Sequence, residues 1–222
     1  MAKRTIEPRQ WAQPPRQYLG SPPGDLLLPE EVARWLNGLG AFDADNTRHC
    51  LALLALFGIP ESYLDVGSGT GVYVNTARKL GVDAWGVDLL PRPDAHLLVR
   101  DLRQSLDLGR EFTVVTCLEV AEHLPPSSAA SLCATLARHV QLGGVLVFTA
   151  ALPGQQGDGH LTCQPPVYWR WLLSNEGLSY HYGLTLQLAV LWTHMHTPHG
   201  YLAADLQVFS KGTPTLPSGA GV

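Results

Sequence analysis

A doubly wound α/β fold, with a parallel sheet and helices on both faces, is what this 222-residue sequence predicts. Three observations carry that expectation. From Ser62 onward, apolar runs alternate with helical patterns in the rhythm strand, loop, helix. The apolar runs are nearly continuous, as expected for strands buried on both faces. The first run, Tyr63–Val66, passes directly into Gly67-Ser68-Gly69-Thr70-Gly71 and then a helical pattern from Val72 to Leu80. Glycine serves where a backbone turns tightly or lies against a ligand.

In chain order, residues 1–28 are rich in proline and arginine and read as an irregular arm carrying Trp11 and Tyr18. Pro29-Glu30-Glu31 marks a helix start, with Gly40 as its stop. A second helix is expected from Asn46 to Phe57, capped by Asp45 or Asn46 and closed by Gly58 and Pro60. Strands are expected at Tyr63–Val66, Ala84–Val87, His96–Val99, Phe112–Leu118 and Gly144–Ala151. A helix fits Ser128–Val140, another begins at Pro166, and a third is placed over Leu184–Trp192. Tyr201–Ser210 alternates enough for a closing strand. The partition is an arm at 1–28, one domain at 29–212 and a tail at 213–222.

Composition narrows the function classes. Apolar residues are 45% and charged residues 15%, ordinary for a globular domain. The net charge of −4 argues against a broad nucleic-acid surface. Cys50, Cys117, Cys133 and Cys163 form no C-x-x-C pair, so free thiols are expected. Neither a signal-peptide pattern at the N-terminus nor a membrane-length apolar run is present in the sequence, so a cytoplasmic protein is expected.

The glycine loop admits two cofactors. A dinucleotide fingerprint, G-x-G-x-x-G, places its third glycine where Val72 stands; here that glycine comes one residue early, at Gly71. Asp65, two residues before Gly67, would repel a pyrophosphate but suits an ammonium group. S-adenosylmethionine carries such an ammonium, with a carboxylate for the N–H groups of loop and helix. The run Asp65-x-Gly67-x-Gly69-x-Gly71 resembles motif I of the class I S-adenosylmethionine-dependent methyltransferases. That resemblance implies a Rossmann-like seven-stranded sheet, its last strand antiparallel beside a sixth near Leu178–Tyr182. An NAD-dependent oxidoreductase is disfavoured by Val72 and Asp65.

Further cofactor contacts are expected beyond the carboxyl ends of strands. Asp88, ending the second strand, is placed to accept from ribose hydroxyls; a turn-forming aspartate is the plainer reading. Asp101, followed by Leu102, matches the family position that accepts from the adenine amine; a helix N-cap is the alternative. With Asp65, Gly67, Ser68, Gly69, Gly71 and Leu118 they complete the expected cofactor set.

Methyl transfer to oxygen needs alignment and removal of a proton. In Cys117-Leu118-Glu119-Val120-Ala121-Glu122-His123, a helical turn would put Glu119, Glu122 and His123 on one face. E-x-x-E-H resembles the metal-binding run of small-RNA 3′-terminal 2′-O-methyltransferases and the corresponding run of ubiquinone-pathway O-methyltransferases. His160, in the Gly- and polar-rich loop after the fifth strand, is a further base or ligand. The catalytic candidates are therefore His160, His123 and Glu119. The metal candidates, for Mg²⁺ or Mn²⁺, are Glu119, Glu122, His123 and His160; a metal-free substrate site is the alternative. The loop's G-x-G-H…C-Q-P…Y-W arrangement is similar to small bacterial and phage methyltransferase-like proteins. His194, His196 and His199 read as a solvated turn.

The expected function is S-adenosylmethionine-dependent O-methylation of a small hydroxyl-bearing metabolite or sugar. The alternatives are metal-dependent 2′-O-methylation of an RNA 3′ end, aided by a basic-aromatic arm of Arg4, Arg9, Arg16, Trp11 and Tyr18, and a cofactor-binding scaffold without transfer activity.

Overall fold

The computed structural model describes residues 43–90, 94–194 and 201–215. The expected arm, the helix expected from Pro29, and His196 and His199 lie outside them. Helix α1 (Asp43–Phe57) leads into β1 (Ser62–Val66), α2 (Val72–Lys79), β2 (Asp83–Asp88), β3 (Leu97–Val99) and β4 (Phe112–Leu118). Two short 3₁₀ turns, Ala121–His123 and Pro126–Ser128, precede α3 (Ala129–His139) and β5 (Val140–Thr149). The chain continues through α4 (Pro166–Asn175), β6 (Ser179–Tyr180), α5 (Tyr182–His194), α6 (Tyr201–Asp205) and β7 (Gln207–Ser210).

The seven strands lie in the order β3-β2-β1-β4-β5-β7-β6. The first five are parallel; β7 runs antiparallel to β5, and β6 antiparallel to β7. Strand order reverses between β1 and β4, so the crevice beyond their carboxyl ends is where such a sheet receives a ligand.

Side-chain alternation sorts the core into two layers. Tyr63, Ala84, Val114, Val145, Val147 and Val208 pack with α1, α2 and α5 on one face. Leu64, Val87, Val115, Leu146, Phe148 and Phe209 pack with α3 and α4 on the other. Trp192 of α5 is 1% exposed and donates its indole N–H to the His49 carbonyl at 3.1 Å, fastening α5 to α1. Burying the ring and satisfying its one donor together hold this contact.

Most elements fall within one or two residues of expectation, and three stretches depart further. Helix α1 is already formed at Asp43, the first described residue, ahead of the expected Asn46. Strand β5 starts at Val140, with an irregularity opposite Phe112 and Val114 that accommodates Gly143 and Gly144. Tyr201–Ser210 is not one strand: its first five residues form α6, and only Gln207–Ser210 pair with β5. Ala203 and Ala204 favour the helix, whereas β7 is buried throughout. The four cysteines are free thiols, as expected. No described helix is long and apolar enough to cross a membrane.

Candidate active site

The glycine loop is shaped by contacts that only bare backbone allows. Gly67 sits at φ 84° and Gly71 at φ 80°, both left-handed. A Cβ on Gly67 would overlap the Val120 side chain, and one on Gly71 would come within 2.6 Å of Leu97. Gly67 and Ser68 donate their N–H groups to the Val87 carbonyl at 2.8 and 3.1 Å, which anchors the loop on β2. Thr70 Oγ1 donates to Asp43 at 3.1 Å, so the start of α1 also touches the loop.

Asp65 is 5% exposed at the end of β1. Thr116 Oγ1 donates to its carboxylate at 2.7 Å and lies 2.7 Å from the Tyr63 hydroxyl. Burial nevertheless dominates and pushes the Asp65 pKa up to about 7, with the Asp88 charge adding to the rise. Such a carboxyl is suited to an incoming ammonium group. The Ser68 hydroxyl is also buried and has no hydrogen-bond partner.

Asp88 folds back on the loop. Its Oδ2 accepts from Gly69 N–H at 2.9 Å and its Oδ1 from Leu90 N–H at 3.0 Å. Each oxygen keeps further lone pairs for a diol. Asp101 is more committed: Arg103 binds both its oxygens, at 2.7 to 3.0 Å. The Arg103 N–H also donates to Oδ1 at 3.0 Å, so Asp101 is at once a turn former and an ion-pair partner. Leu102 is buried and Leu118 partly buried.

Beyond β4 the chain departs from the expected helical turn. Glu119 has φ 54°, the sole non-glycine residue with positive φ among the described residues. Its N–H donates to Thr149 Oγ1 at 2.9 Å. The turn that follows is 3₁₀ and begins only at Ala121, so Glu119 does not share a helical face with Glu122 and His123. Among the described residues, Glu122, His123 and His160 each bring a ligand atom within 4.8 Å of the others, and Glu119 is not a member of that group. Its side chain nevertheless lies close enough to Glu122 and His160 to interact with both.

The loop after β5 supplies His160 to this group. Leu161 and Thr162 donate their N–H groups to the Glu122 carbonyl at 2.6 and 2.9 Å, and Thr162 Oγ1 donates to the Leu124 carbonyl. These bonds clamp the loop on the 3₁₀ turn and bring the His123 and His160 rings to 5.0 Å, edge to face. Gly157 lies under the His160 ring, where a Cβ would overlap it. Each imidazole has Nδ1 3.3 Å from a backbone carbonyl, His123 at Gly159 and His160 at Gln155. Cys163 Sγ is 3.5 Å from His160 Nδ1.

The carboxyl groups here are costly to ionise. Glu122 is fully buried, and neither oxygen has a hydrogen-bond partner of ordinary geometry. Burial, then the Glu119 charge, pushes its pKa up to about 9. Burial raises Glu119 as well. His123 is held below its ordinary range by burial and by the neighbouring His160, so its imidazole is neutral at pH 7.

Asp205, at the end of α6, is a residue the sequence pattern did not single out. It is 2% exposed and both its oxygens lack a partner. An acid just before an apolar strand at the ligand edge of the sheet was the available signal, hidden by reading the segment as one strand. A surface depression of about 560 Å³ between α4 and β6, around Arg170, Trp171 and Tyr180, includes none of the candidate residues. His194 ends α5 with its Nδ1 2.8 Å from the Val190 carbonyl, away from this group.

Residues 29–193 match the family model described as a methyltransferase domain. The ubiquinone biosynthesis O-methyltransferase of Colwellia psychrerythraea is 32% identical over 101 residues, covering 39% of this chain and 40% of that protein. The enzyme of the same name from Ralstonia nicotianae is 35% identical over 155 residues, covering 60% and 63%. The chain thus spans less than two thirds of these relatives. Among solved structures, the sugar N-methyltransferase KedS8 from Streptoalloteichus sp. superposes with a TM-score of 0.60 at 22% identity, covering 87% of this chain and 97% of that one. The amino pentose methyltransferase CalS10 from Micromonospora echinaspora, bound to its methyl donor, gives 0.57 at 18% identity, covering 85% and 99%. At those identities the likeness is one of fold.

Proposed function

We propose, since the chain belongs to the class I S-adenosylmethionine-dependent methyltransferase family, that it transfers the methyl group to a hydroxyl of a small metabolite or sugar. One observation carries this reading: Gly67 packs on Val120, so the cofactor loop adjoins the acid–imidazole group of Glu122, His123 and His160. In it, Asp65 takes the cofactor's ammonium group, Asp88 the ribose hydroxyls, and Asp101 with Leu102 the adenine. Gly67, Ser68, Gly69, Gly71 and Leu118 form the bed beneath. The sulfonium supplies the leaving group; the chain aligns the acceptor and removes its proton. His160 or the neutral His123 accepts that proton, with Glu119 beside them. The net charge of −4 disfavours a phosphate-rich acceptor, so a small molecule is preferred to an RNA end.

Release of radiolabelled methyl from S-adenosylmethionine to a panel of polyols, phenols and amines tests this. His160→Ala should slow transfer by about 10²–10⁴-fold, the usual contribution of a general base, while S-adenosylhomocysteine affinity changes little. A collapse of affinity with the rate retained would assign His160 to the cofactor instead.

A metal-assisted variant has its own support. A buried carboxyl with no hydrogen bond of ordinary geometry and two imidazoles, each with Nδ1 facing a carbonyl, form a donor set that fits a divalent ion. Two imidazoles and one carboxylate favour Mn²⁺ over Mg²⁺. A cation held there would supply Lewis acidity toward the acceptor hydroxyl. EDTA treatment should then abolish turnover, and Mn²⁺ should restore it. Turnover indifferent to both would leave the imidazoles as the base.

A further inference from the structure

We propose that Asp205 is an acceptor-binding residue and that it selects an acceptor carrying a protonated amine. The proposal deepens the methyl-transfer reading above and rests on it. The position of Asp205 follows from strand register. Gln207 pairs with Phe148 in the antiparallel β5–β7 ladder, so Asp205 falls beyond the carboxyl end of β5. Glu119 reaches the same end of β5 from the other side, its N–H on Thr149. The two acids therefore flank one strand end, next to the candidate catalytic group. They are close enough for the Glu119 charge to act on Asp205, which burial also opposes ionising. Cys163, beside His160, feels Glu122, Glu119 and Asp205 together.

The side chain of Asp205 is 2% exposed and both its oxygens lack a hydrogen-bond partner. Among the described residues no cation acts on it; the charge that does is that of Glu119. Arg170, the nearest in topology, donates to Gln207 at 3.0 Å and stacks on Tyr180 at 3.8 Å. A buried carboxyl without partners destabilises a fold. Structural acids in such positions are usually paired, so an unpaired one calls for an explanation, and a ligand group supplies it here. An ammonium group brings three donors and the opposite charge, and two neighbouring acids can share it. A neutral hydroxyl brings one donor and no charge, and a phosphate is repelled. The amine is an anchor in this assignment, distinct from the oxygen that receives the methyl group.

The test uses calorimetry on the full chain saturated with S-adenosylhomocysteine, with matched pairs as probes: glucosamine against glucose, and ethanolamine against ethylene glycol. Binding of S-adenosylhomocysteine itself, measured first, tests the underlying methyl-transfer reading separately. The amine of at least one pair should bind at least 10-fold more tightly than its hydroxyl counterpart, and Asp205→Asn should remove that preference. The variant should melt at or above the wild-type temperature at pH 8, because a buried charge has gone. Equal or absent binding of amine and hydroxyl probes would overturn the assignment, as would a preference unchanged in the variant. A variant that melts several degrees lower would mark Asp205 as structural and overturn it equally.

Discussion

Asp65 shows how a single side chain links stability to ligand binding. Its neighbours Thr116 and Tyr63 provide one hydrogen-bonded chain, which does not offset the loss of water around a carboxylate. The folded-state pKa, about 7, lies above the ordinary value of 3.8. Below the unfolded value the protonated acid costs the fold nothing. As pH rises from about 4 to 7, the unfolded chain gives up its proton first, and stability falls. Over that interval the loss is on the order of 3 to 4 kcal/mol. Asp65→Asn should flatten this part of the stability curve, measured by thermal melts between pH 4 and 8 without ligand. Glu122 and Asp205 are raised too and add their own slopes. An ammonium ligand favours the ionised form of Asp65, so S-adenosylhomocysteine affinity should rise between pH 5.5 and 7.5 in wild type and much less in the variant.

At the scale of elements, the contact between the glycine loop and the β4 exit is the joint that assembles the site. Gly67→Ala meets two obstacles, the Val120 side chain and a left-handed backbone. The backbone alone costs about 1 kcal/mol for alanine, and overpacking adds typically about 1 to 3 kcal/mol. In a Val120→Ala background only the first cost should remain, so a double-mutant cycle on chemical denaturation should show strong coupling. Additive effects would mean that the two residues do not meet.

This joint also marks where sequence reasoning stops. The register of Asp65 with Gly67, Gly69 and Gly71 was legible because strand, turn and helix follow each other within ten residues. The parallel strands were legible because burial on both faces leaves uninterrupted apolar runs. The backbone at Glu119 was not legible, because its left-handed φ breaks the helical spacing and nothing in E-V-A-E-H announces that. His160 joins His123 through loop hydrogen bonds to the Glu122 carbonyl, a backbone contact that leaves no residue pattern. Asp205 escaped notice because α6 and β7 share one apolar stretch, and only the ladder with β5 reveals which end meets the ligand edge.

For the molecule as a whole, the sheet order brings the glycine loop, the acid–imidazole group and Asp205 to one edge from four separate stretches of chain. In the function proposed above, a sulfonium nucleoside lies on the loop at the β1–β4 switch point, its amino end against Asp65. Calorimetric titration of the full chain at pH 7.5 with S-adenosylhomocysteine, and separately with NAD, tests it most directly. The expected result is one-to-one binding of S-adenosylhomocysteine, no heat with NAD, and affinity at least about 10-fold weaker in Asp65→Asn, the loss expected for a hydrogen bond to a charged group. Binding of NAD in its place, or S-adenosylhomocysteine affinity indifferent to Asp65, would contradict it.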